Sequence, residues 1–207
     1  SVSAMPRVLM LASIYPPQPG GPATHAKKYV EAFRVAGFRT RLVKYVSPRW
    51  RYCLQVLNAS RGADVIYAHD VTVGGLPAAL LAGVMGKRLI LRIGGDLLWE
   101  RAAERLATEL SMLEFYRGRQ YEQFKLFKLA RWVLRKSDRI IVTASITEKI
   151  YREYYGIPRE KLVLVPNPIP VQHFSKVSPT GRIVLFAGRF VAYKNIPLLI
   201  EAFSEVR

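Results

Sequence analysis

Residues 7–37 read RVLMLASIYPPQPGGPATHAKKYVEAFRVAG, and the fold class follows from how this stretch divides. Residues 8–14 are an apolar run, and residues 16–25 are dense in proline and glycine. From residue 24 to 36, Ala26, Tyr29, Val30 and Phe33 recur at helical spacing, and Gly37 supplies the stop. A strand, a glycine-rich loop and a helix start make a βα unit. Backbone N–H groups at such a helix N-terminus form a partly positive anion site. Gly20 and Gly21 carry no Cβ, so a ligand can come close to the backbone. A phosphate-holding loop is one reading; a breaker-rich turn that binds nothing has the same signature.

The rest of the chain repeats the alternation. Strands are expected over residues 39–46, 64–68, 88–93, 138–144 and 161–165, with helices over 50–59, 74–86, 97–115 and 117–136 between them. Ser145 and Glu148 have capping-box spacing, so a sixth helix is expected there, ending at Gly156. Such alternation predicts an α/β fold with a doubly wound parallel sheet and ligand sites beyond the strand C-termini. Residues 5–170 form this first domain. Residues 171–181 have linker composition, and residues 182–207 (a strand over 182–187, then a helix from about Asn195) read as the start of a second, truncated domain. Residues 1–4 read as a cloning remnant ahead of Met5.

Composition narrows the function classes. Half of the 207 residues are hydrophobic, enough for a real core, and no apolar run approaches the length of a membrane span. No small-residue cleavage pattern follows the first apolar run, so no secretory signal is expected. The single Cys53 excludes an intrachain disulfide, fits a reducing, cytoplasmic compartment, and is expected in the core. His25, His69 and His173 are too scattered for a structural zinc site, and no metal ligand set is expected. The net charge of +17 predicts a polyanionic partner: phosphates, acidic lipid or nucleic acid. A non-catalytic module for an anionic polymer or nucleic acid is one alternative, but no aromatic-basic RNA motif or helix-turn-helix pattern supports nucleic acid. A dinucleotide-dependent oxidoreductase is weaker: the first loop lacks G-x-G-x-x-G, and the second strand does not end in Asp or Glu.

Taken together, the motifs resemble one family. The Gly20-Gly21 loop with His25, Asp64-Val65-Ile66 ending at His69, Ser137 to Val142 with Ser145, Val165-Pro166-Asn167, and Phe186-Ala187-Gly188-Arg189 with Lys194 follow the order and spacing of a family-4, GT-B glycosyltransferase. The resemblance implies two Rossmann-like domains facing a cleft, the first for the acceptor and the second for a nucleotide-sugar donor. It implies a retaining, metal-independent enzyme without a cofactor, whose acceptor is a saccharide or a lipid-linked sugar. By this pattern Gly20, Gly21, Arg189 and Lys194 contact donor phosphate, the last two stabilising the leaving diphosphate. His25, His69 and Gly95 become acceptor or sugar contacts. Against them stand a surface helix histidine at 25 and a hydrogen-bonded structural histidine at 69.

Two departures qualify the resemblance. The family's histidine at the end of the fourth strand is replaced by Arg92-Ile93-Gly94-Gly95-Asp96, which leaves Asp96 as the candidate catalytic contact. Asp70 could equally cap the following helix. The family's paired glutamates lie beyond Arg207, so this stretch alone is expected to be inactive. At 100° per residue Arg117, Lys128, Arg131 and Arg135 share a stripe opposite an apolar face, with Trp132 at its boundary. That is either a solvated basic face or a peripheral contact with an anionic membrane's inner face through Lys128, Arg131, Trp132 and Arg135. An apolar strand at residues 183–186 without a sheet further predicts self-association.

Overall fold

The computed structural model describes residues 5–168, 183–188 and 190–205. Six parallel strands, β1 (Arg7–Ala12), β2 (Arg39–Lys44), β3 (Val65–Ala68), β4 (Arg88–Ile93), β5 (Arg139–Val142) and β6 (Leu162–Leu164), line up in the order β2-β1-β3-β4-β5-β6. The fold is α/β and Rossmann-like. Its connections run one way from β1 to β2 and the other way from β3 onward, so the strand order reverses between β1 and β3. Chain leaving neighbouring strands there diverges and opens a crevice at their C-terminal ends.

Apolar continuity explains β1. Leu9 and Leu11 face one core, Val8 and Met10 the other, and all four are buried. Helix α1 (Gly21–Val35) covers the second face, packing Val30, Tyr29 and Phe33 over Val8, Met10 and Tyr67. Helices α2 (Arg49–Arg61), α3 (Gly75–Met85), α4 (Leu97–Glu104), α5 (Met112–Arg117), α6 (Lys125–Lys136) and α7 (Ser145–Glu153) contribute to the larger core on the first face. The outer strand β2 alternates Arg39, Arg41 and Lys44 with less exposed residues, so charge guards that edge. Helix α8 (Ile196–Glu205) follows a 3₁₀ turn at Ala192–Lys194 that meets α4 through Tyr193 and Trp99, rings 5.4 Å apart.

Several expectations need correction. The long helices over 97–115 and 117–136 are three helices and a 3₁₀ turn (Gln120–Gln123). Ser111 and Glu114 start α5 with a reciprocal capping box, and Arg119 takes left-handed φ of 56° between α5 and the turn. The box expected at Ser145 does not form: Ala144 precedes the helix, and Glu148 instead pairs with Arg159 at 2.9 Å. Cys53 is exposed, because α2 buries Tyr52, Val56, Ala59 and Ser60 and turns residue 53 away from them. Residues 183–187 form no strand, no strand neighbours them among the described residues, and Ile183, Val184 and Leu185 are exposed. The linker 171–181 lies outside the described residues.

The starts of β1 and β3 are tied by more than the ladder. Arg7 N and Nη2 donate to Asp64 at 2.8 and 2.9 Å, and Asp64 N returns a bond to Arg7 O. The Arg7 side chain and backbone N–H hold the Asp64 carboxyl down at about 2. A depressed folded-state pKa contributes stability above the unfolded carboxylate value near about 4, and that contribution is lost as pH falls toward 2. In urea denaturation between pH 5 and 2, Asp64→Asn should show a shallower loss of stability than the parent. Parallel curves would remove Asp64 as a source of the acid response.

Candidate active-site cleft

A cleft of about 340 Å³ lies at the C-terminal ends of β1, β3 and β4, beside the strand reversal. Its walls come from the loop after β1 (Ser13, Ile14), the start of α1 (Gly21, Pro22, His25), the residues after β3 (His69, Asp70), the end of β4 and its turn (Arg92 to Gly95), Glu100 of α4, and Asn167 after β6.

Local sequence shapes each wall. Gly20 precedes α1 with φ of 130°, a conformation that favours glycine, and its carbonyl accepts from Thr24 N at 3.1 Å. Gly21, not Gly20, lines the cleft. At Gly95 an added Cβ would lie 2.0 Å from Glu100 Oε1, so the turn after β4 accommodates only glycine while that carboxylate stays in place. Asp70 closes its own turn, accepting from the N–H groups of Thr72, Val73 and Gly74 immediately before α3. Burial pushes its carboxyl up, while those N–H groups pull it down.

The cleft floor centres on Arg92. Its guanidinium lies over the Tyr29 ring at 4.8 Å, and Nη2 donates to Asn167 Oδ1. The His69 ring packs against Tyr67 and Tyr29 at 5.2 and 5.8 Å. Burial, and then the charge of Arg92, hold the His25 imidazole below its usual pKa and push that of His69 down to about 3. His69 is therefore neutral at physiological pH. His25 Nδ1 and His69 Nε2 are buried with no hydrogen-bond partner among the described residues. Neutral imidazoles, a guanidinium and a carboxylate together suit a hydroxyl-rich, polar ligand.

A family model for Glycosyltransferase Family 4 matches residues 10–173, which take in the end of β1, α1, Arg92 and Asn167. The chain belongs to glycosyltransferase family 4. A search of the curated proteins returned no match.

Within this family domain, the structure brings together Gly21, His25, His69 and Gly95 among the expected contacts. Asp96 is elsewhere. Its carboxylate is fully buried, caps α4 by accepting from Trp99 N at 2.8 Å, and accepts from Tyr116 Oη at 2.9–3.0 Å. Tyr116 spends its proton on Asp96, so Tyr155 donates to Tyr116 across 2.9 Å. The helix needs the cap, and α5 brings up the tyrosine; the carboxylate faces inward and does not line the cleft. A catalytic contact through Asp96 therefore has no geometry behind it. Lys194 is exposed beside Tyr193 and does not line the cleft, and Arg189 lies outside the described residues.

The basic face is also redrawn. Lys128, Arg131, Trp132 and Arg135 border a shallow hollow with Glu122 and Phe127, while Arg117 belongs to α5 and leaves the stripe. Arg131 is half-buried and donates through Nε to Tyr155 O at 3.0 Å, whereas Lys128, Trp132 and Arg135 are exposed. Lys161 Nζ caps the end of α6, donating to Arg135 O and Ser137 O at 2.8 and 2.9 Å.

Sequence reading missed Arg92, Glu100 and Asn167 as cleft residues. For Arg92 a signal existed: a charge inside Leu89-Ile90-Leu91-Arg92-Ile93, on a strand otherwise buried, needs a reason to be there. Asp96→Ala should lose both acceptors and destabilise the protein by about 1–3 kcal/mol. Asp96→Asn, which keeps an acceptor for Trp99 N, should lose less. Equal midpoints for Asp96→Ala and the parent in urea denaturation would contradict the structural role.

Proposed function

We propose that the cleft is the acceptor side of a glycosyltransferase that moves a sugar from a nucleotide-sugar donor to a saccharide or lipid-linked acceptor. The carrying observation is the coincidence of the family match with a polar cleft at the strand reversal, lined by Gly21, His25, His69 and Arg92. In the transfer, the bond from sugar C1 to the diphosphate oxygen breaks. A bond from C1 to an acceptor hydroxyl oxygen forms, and the hydroxyl proton leaves to base or solvent. His25 and His69, being neutral, can accept hydrogen bonds from acceptor hydroxyls. Arg189 and Lys194 are the cations proposed to meet the departing diphosphate, whose charge grows in the transition state. Retention of configuration and independence from metal come with the family resemblance and belong to the proposal.

The test is release of nucleoside diphosphate by the gene product carrying this sequence, across a panel of nucleotide sugars with and without glycoside acceptors. Acceptor-stimulated release is expected with at least one donor. No release with any donor, alongside tight salt-sensitive binding of nucleic acid, would favour the binding-module alternative.

The exposed Lys128, Trp132 and Arg135 on one side of α6 support docking of this domain on an anionic bilayer. Each basic residue near such a surface contributes about 1 kcal/mol. Lys128→Glu with Arg135→Glu should therefore reduce co-sedimentation with phosphatidylglycerol-containing vesicles and leave neutral vesicles unaffected. Unchanged sedimentation would remove the membrane contact.

A further inference from the structure

Arg92 is 3% exposed on a strand buried on both faces, and no carboxylate forms an ion pair with it among the described residues. Tyr29 offers its ring, Asn167 offers a neutral carbonyl, and Nε reaches no partner among the described residues. Nη1 faces the cleft turn, where a Cβ added to Gly94 would lie 3.9 Å away. The ion pairs among the described residues do not include Arg92. A lysine in such a place could shed its proton, but a guanidinium stays charged, and a buried charge without a counter-charge is costly.

The surroundings add to the positive field. Helix α1 points its N-terminus at the cleft with Gly21, has no acidic residue in its first turn, and Gly20 can supply no side-chain cap. Two carboxylates line the same cleft and neither pairs with Arg92. Asp70 is engaged by three backbone N–H groups, and Glu100, which sits against Gly95, has no ion pair with Arg92 among those the described residues form.

We propose that Arg92 is an anion-binding residue of the acceptor subsite, so that the preferred acceptor carries a phosphate or carboxylate group whose oxygens meet the guanidinium at the cleft floor. The inference rests on the reading of the cleft as the acceptor side. The anion completes the charge balance that the fold leaves open, and Tyr29 and Asn167 hold the guanidinium in place before it arrives. Neutral His25 and His69 then contact the acceptor's hydroxyls without competing for its charge.

Equilibrium binding tests this without turnover, with inorganic phosphate, glucuronate, glucose and uridine diphosphate as probes. Phosphate or glucuronate should bind, and whichever binds tells the phosphoryl from the carboxylate source; glucose should bind at least about tenfold more weakly. Arg92→Met should raise the dissociation constant of the anionic probe at least about tenfold without lowering the urea midpoint, because it removes an uncompensated charge. If Arg92→Met does not fold, Arg92→Lys and Arg92→Gln decide, with the lysine variant retaining anion binding and the glutamine variant losing it. Equal binding of anionic and neutral probes, an unchanged anion constant in Arg92→Met, or equal binding by the Lys and Gln variants would overturn the proposal. So would a loss confined to uridine diphosphate, which would assign Arg92 to the donor. Arg92-dependent anion binding without nucleoside diphosphate release from any donor would sink the transfer reading and leave the anion site standing.

Discussion

Burial of β1 on both faces is the constraint on which the rest of this domain depends. A strand that buries Leu9 and Leu11 on one side and Val8 and Met10 on the other must have helices on both faces and strands on both edges. Because β2 and β3 take opposite edges of β1, the chain reverses its winding there, and a crevice opens where the connections part. The glycine-rich loop, His69 and the end of β4 arrive at one place for that reason. The cleft's geometry is thus a consequence of topology before it is a property of any side chain.

In and around that crevice, polar groups fall into two kinds. Some are consumed by the scaffold: Asp96 caps α4 and receives Tyr116, and Asp70 closes the turn before α3. Burial, and next the charge of Asp96, raise the Tyr151 and Tyr155 phenols, which therefore stay protonated, and in the Asp96–Tyr116–Tyr155 chain the hydroxyls can act as donors. Others are left unsatisfied at the cleft: His25 Nδ1, His69 Nε2 and Arg92 Nε. Leaving buried polar atoms unpaired is unfavourable, and concentrating them at one spot is what a binding site requires.

Much of the fold was legible in the chain, and less of the cleft. Apolar runs marked β1 and β3 to β6 to within a few residues, and a partial alternation of basic and apolar residues marked the outer strand β2. Gly37 and Gly86 marked helix ends by the left-handed backbone they adopt, with φ of 87° and 60°. His25, His69, Gly21 and Gly95 were read as contacts, and they do line the cleft. The chain from 97 to 136 misled: its helical periodicity continues across Gly118, but the Ser111–Glu114 capping box and the backbone turn at Arg119 divide it. Periodicity reports which face is apolar; it does not report where a local cap outcompetes continuation.

The sequence by itself determined the strand–helix alternation, the parallel sheet and the loop that opens on the cleft. These depend on the spacing of apolar residues and on glycine positions, which are local quantities. Only the tertiary structure decided what the polar residues do. Arg92 meets Asn167 across 75 positions, and Tyr116 reaches Asp96 from another helix, so one charge was left facing the cleft and the other was folded into the core. Hydrophobic spacing is blind to such pairings, because they arise where elements distant in the chain are brought to the same end of one sheet.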